Sequence, residues 1–111
     1  MPWLACEDRV VASLEVARAR RARRRGLLGR DDLTGALLIE RCRAVHTVGM
    51  NFEIDVAYLD ADRQVVDIVT MRPGRIGRPR LGARSVIEAR AGAFERWGIR
   101  VGDLLDVRLD A

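Results

Sequence analysis

The chain has 111 residues, 49% of them apolar, and a formal net charge of +4. That length predicts one domain over residues 1–111, and so apolar a composition excludes a disordered chain. No run approaches the roughly 20 apolar residues of a membrane helix, so no membrane span is expected, and the amino end lacks the charged start and long apolar stretch of a signal peptide.

Val11 to Ala17, rich in aliphatic and β-branched residues, predicts a first strand. Residues 18–28 change character: Arg and Ala are good helix formers, Ala19 and Ala22 share a face, and Gly26 and Gly29 end the segment. A short helix is expected there. Leu33 to Glu40 then carries Ala-Leu-Leu-Ile, a short apolar run that fits a buried strand.

Residues 42–50 hold the only His, His46, and one of the two Cys, Cys42. If this segment is extended, residues four apart lie roughly 13 Å from each other, so Cys42 and His46 cannot form a nucleophile–base pair. One His and two Cys without a C-x-x-C step do not make a structural zinc site. No metal, no cofactor and no catalytic residue is assigned. Cys6 and Cys42 are expected to be reduced thiols of a cytoplasmic protein.

A hairpin follows. Phe52, Ile54, Val56 and Tyr58 alternate on one face, Asp60-Ala61-Asp62-Arg63 is a polar turn, and residues 64–70 return. Pro73, Gly74, Gly77, Pro79 and Gly82 break the next fourteen residues into a long irregular loop. Residues 85–89 predict another strand, 91–97 a turn or two of helix closed by Gly98, and 104–109 a last strand with Leu105, Val107 and Leu109 on one face. The fold class is mainly β: a small sandwich or barrel with one or two short helices.

Three groups of motifs, in this order, resemble one family. Gly26-Leu27-Leu28-Gly29-Arg30 comes first, then Val45-His46-Thr47-Val48-Gly49-Met50 with Ile54-Asp55-Val56-Ala57-Tyr58-Leu59-Asp60. Val86-Ile87-Glu88-Ala89-Arg90-Ala91-Gly92 and Gly98-Ile99-Arg100-Val101-Gly102-Asp103 close the series. Together they are similar to the signature segments of the uncharacterised family named domain of unknown function 192, in a variant with a V-H-T-x-G-M segment. The resemblance runs from about Val11 to the end and implies a small jelly-roll-like β fold. It supplies no activity. Many members carry Pro where this chain has Glu53, and W-M-K-N where it has the His-Thr-Val-Gly-Met variant, so no role of that Trp or Lys transfers.

Charge layout and one buried acid supply the candidate site. All twenty basic residues are Arg; residues 18–30 hold seven and residues 71–84 hold five, with no acid in either segment. Like charges bunched this way repel unless something anionic sits near, so the two segments are expected to form one positive face. Asp55 lies in an apolar strand, where a carboxylate is expected to be mostly buried and held by specific donors, with Arg30, His46 or backbone N–H groups as candidates. Glu88 and Glu95 lack the partner spacing of a glycosidase-like pair. The predicted ligand-binding set is therefore Arg30, His46, Thr47, Asp55, Arg75, Arg78 and Arg80. The leading functional expectation is a non-enzymatic binding or accessory domain whose Arg-rich face engages an anionic protein or small molecule. One alternative is an enzyme of unknown reaction centred on His46 and Asp55. The other is a nucleic-acid-associated protein, disfavoured because aromatics are 5% of the chain and none interleaves with the Arg runs. Oligomeric state is left open.

Overall fold

Hydrophobic alternation and turn chemistry build a mainly β structure, as expected. The computed structural model describes residues 2–17 and 30–109. The expected helix at 18–28, and every Arg of the 18–30 run except Arg30, lie outside the described residues, and with them the expectation of one joint positive face. Among the described residues the order is β1 (Trp3–Cys6), β2 (Arg9–Ala17), β3 (Ala36–Glu40), β4 (Ile54–Leu59), β5 (Val65–Met71), β6 (Ser85–Arg90), α1 (Ala93–Trp97) and β7 (Leu105–Arg108).

The strands form one mixed sheet in the order β5-β4-β6-β3-β2-β1-β7. β2 and β3 are parallel, with Leu14 opposite Ala36, and the other neighbours are antiparallel. β1 is a strand that pattern reading did not find. It turns into β2 through Glu7 and Asp8, both at positive φ (52° and 63°), the geometry of a type I′ hairpin without its usual Gly. The β4–β5 turn is the polar one predicted: Asp60 Oδ1 accepts the amides of Asp62 and Gln64, both at 2.9 Å.

The sheet curls without closing into a barrel. Its edge strands β5 and β7 meet at one end, where Val65 N–H donates to the Asp103 carbonyl (2.8 Å) and Leu105 N–H to the Arg63 carbonyl (3.0 Å). Asp67 to Met71 continue without a strand partner on their outer side among the described residues.

Each face of the sheet carries its own apolar cluster. Leu4, Leu14, Leu38, Ala57, Leu59, Ile87, Phe94, Ile99 and Leu105 form one, with α1 packed into it. Leu37, Ile39, Ile54, Val56, Tyr58 and Val86 form the other, covered by Val45, Met50 and Ala83 from the loops and by Met71 at the end of β5. β4 is buried along its whole length because it is covered on both faces. α1 ends at Gly98, whose φ of 71° lets its own N–H and that of Ile99 return to the carbonyls of Glu95 and Phe94.

Candidate anion-binding groove

The long loop at 72–84 is irregular in sequence yet firmly seated. Thr47 fastens it. Its side chain is fully buried; its hydroxyl donates to the Arg72 carbonyl (2.5 Å) and accepts from the Arg75 amide (2.9 Å). Its own amide donates to the Arg75 carbonyl (2.7 Å), and the Gly74 amide donates to its carbonyl (2.8 Å). His46 forms an isolated antiparallel bridge with Ile76, and its side chain is exposed. Gly77 crosses closely over the strands: a Cβ there would stand 2.8 Å from the Val45 carbonyl oxygen and 3.4 Å from the Tyr58 hydroxyl.

So anchored, the loop and the edge of β5 enclose a groove of about 500 Å³. Val69, Thr70 and Met71 line it from the strand, and Arg72, Arg75, Arg78 and Arg80 with Ile76 and Gly77 from the loop. Three of the seven predicted site residues, Arg75, Arg78 and Arg80, thus share one groove, and Arg72 joins them. Their surroundings are less free of acid than their own segment. Arg80 donates from Nε to Asp67 Oδ2 at 3.0 Å and its guanidinium stacks on the Tyr58 ring, 4.3 Å from the centroid. Arg72 Nε is 3.9 Å from Glu53, a long and exposed contact. Arg75 and Arg78 are exposed and make no ion pair among the described residues.

The remaining predicted residues go elsewhere. Arg30 is engaged by Glu15 through two parallel bonds (3.0 and 2.8 Å), and that bond holds the Glu15 carboxyl below its usual pKa. Asp55 is 5% exposed, as its apolar strand required. Its donors, however, are the Thr70 hydroxyl (2.7 Å) and the Gly92 amide (2.9 Å), so neither Arg30 nor His46 supplies them. Side chains alternate along β4. Asp55 therefore points to the α1 side, opposite the face covered by the loops that carry His46 and Thr47. There it lines a second pocket of about 470 Å³ with Ile68, Thr70, Phe94, Glu95, Ile99 and Arg100.

Glu88, set aside in the sequence for want of a partner acid, is the most deeply buried carboxyl of the described residues. It sits on β6 between Leu37 and Val56, is 3% exposed, and its Oε1 has no hydrogen-bond partner among the described residues. Burial alone pushes its pKa up to about 7. Tyr58, on the same face, is fully buried. Burial raises its pKa against the opposing pull of Arg80, whose Nη1 donates to the phenol oxygen at 3.3 Å. The signal for Glu88 was the same as for Asp55, an acid inside an apolar strand.

The geometry defines a small mainly β domain with an open, curled mixed sheet, and solved structures share it. A protein of unknown function from Novosphingobium aromaticivorans superposes with a TM-score of 0.80 at 20% identity, over 95% of this chain and 82% of that one. A protein from Sinorhizobium meliloti 1021, described as a candidate transcription regulator, gives 0.81 at 20% identity, over 96% and 91%. Identity that low establishes the fold alone. The family model of domain of unknown function 192 (DUF192), described as an uncharacterized ACR, matches residues 4–107, and the chain belongs to that family. A UPF0127 protein of Pyrococcus abyssi is 39% identical over 62 residues, 56% of this chain and 53% of the relative. One of Thermococcus gammatolerans is 40% identical over 62 residues, 56% and 40%. The chain spans about half the length, or less, of these curated relatives.

Proposed function

We propose that this domain is a non-enzymatic binding or accessory module that engages an anionic ligand or protein partner through the groove between β5 and the 72–80 loop. What supports this reading is that four guanidinium groups line one groove of about 500 Å³, two of them, on Arg75 and Arg78, without a carboxylate partner among the described residues. Guanidinium groups bind phosphates and carboxylates through paired N–H donors, and a fastened loop presents them without a large ordering cost. The enzymatic alternative centred on His46 and Asp55 draws no support from the geometry, because the two residues serve opposite faces of the sheet.

Inorganic tripolyphosphate is a suitable probe. At low salt it should bind the wild-type domain, and Arg75→Glu with Arg78→Glu should weaken binding by more than roughly tenfold, with added salt erasing the difference. Equal binding by wild type and double variant would overturn the reading. DNA that outcompetes tripolyphosphate on the same Arg residues would transfer it to the nucleic-acid class.

A further inference from the structure

We infer that the occupant of the Arg-lined groove is an extended acidic peptide that adds a strand to the outer edge of β5; this rests on the reading of the groove as anion-binding. Among the described residues β5 is the outermost strand on its side of the sheet. Its first residues meet the 102–105 turn, but Asp67 to Met71 do not, and five residues of strand span roughly 13 Å. Exposed strand edges are templates for a further strand.

The two pockets flank this same edge, one on each face. The Arg groove takes in Val69 and Met71, which face the Tyr58 side, whereas the Asp55 pocket takes in Ile68; Thr70 borders both. A strand laid beside β5 alternates its side chains between the two faces, so successive residues enter different pockets. On the Tyr58 side they meet Arg72, Arg75, Arg78 and Arg80, which select Asp or Glu. On the other they meet Ile68, Phe94 and Ile99, where the two carboxyl groups of Asp55 and Glu95 outnumber the single cation Arg100 and so favour an apolar residue over a further acid. The edge and its pockets therefore read an alternating acidic–apolar sequence of about five residues.

The test uses the whole chain and a fluorescent peptide, acetyl-Glu-Val-Glu-Val-Glu-Val-amide, followed by anisotropy. Three outcomes together support the inference. The peptide binds; Arg75→Glu with Arg78→Glu weakens it at least tenfold; and N-methylation at one alternate set of peptide amides abolishes binding while the other set is tolerated. Amide exchange at Thr70 should slow on binding, more than at Ile68, whose N–H already donates to Asp67 Oδ1 (2.9 Å). A peptide that binds equally well with either set methylated overturns strand addition and leaves the anion groove standing, as does tripolyphosphate binding with no peptide binding. Failure of both ligands overturns both readings. A concentration-dependent dimer in sedimentation that the peptide does not displace would assign the edge to a second copy and overturn the peptide.

Discussion

Glu88 provides the sharpest quantitative test of the structure. Its carboxyl is buried between Leu37 and Val56 with one oxygen unpartnered, and holds its proton up to about pH 7. In the unfolded chain the same group ionises near its ordinary value of 4.5. Because the folded pKa is raised, the folded state binds the extra proton between those values, and stability falls as pH rises through that window. Each pKa unit is worth about 1.4 kcal/mol, so the full loss is roughly 3 kcal/mol, complete a little above pH 7. That is a large share of the roughly 5–15 kcal/mol that hold a domain of this size. Glu88→Gln keeps the shape and removes the titration. Urea unfolding followed by Trp fluorescence at pH 4.5, 6 and 8 gives the difference between variant and wild type. It should grow with pH in favour of the variant. The difference cancels groups acting in the opposite sense, such as Glu15, whose lowered pKa makes stability fall as pH drops. A variant-minus-wild-type difference that stays constant across the range would refute the buried, unpaired carboxyl.

Asp55→Ala should destabilise the fold by roughly 1–3 kcal/mol in thermal melts, since it removes the acceptor of the half-buried Gly92 N–H and of the Thr70 hydroxyl; Asp55→Asn should cost less. Gly77→Ala should cost on the order of 1–3 kcal/mol and weaken tripolyphosphate binding, because its Cβ would press on the Val45 carbonyl at 2.8 Å and lift the Arg-bearing loop. Arg80→Ala should push the Tyr58 pKa still higher, read by ultraviolet absorbance titration, since the guanidinium is what opposes burial there. Thr47→Val should loosen the loop, seen as faster amide exchange at Gly74 and Arg75 with the strands unchanged.

Local signals carried much of this fold. The β4–β5 hairpin was legible because alternation and the Asp60 turn point the same way, and α1 because Gly98 supplies the left-handed stop. β1 was not, because four residues without alternation end in a turn whose positive φ values fall on Glu7 and Asp8. The parallel β2–β3 pairing has no local signature at all, since it depends on a crossover. In the candidate site, the Arg cluster was legible because Arg75, Arg78 and Arg80 are close in sequence. The expected meeting of His46 with Asp55 failed because alternation on β4 assigns position 55 to the far face. Glu88 carried the same signal as Asp55, an acid in an apolar strand, but its want of a donor was not legible because the loops that cover this face come from elsewhere in the chain.

The pairing of β1 with β7 sets Trp3 beside Arg108. Ordering the intervening chain comes before that contact returns any energy, so such a sheet assembles slowly, on a scale of milliseconds to seconds. During that interval the central strand β3, apolar from Ala36 to Ile39, waits for its later neighbour β6. A chaperone or a crowded neighbour would meet it first, and recovery of native protein would then depend on dilution more than on stability.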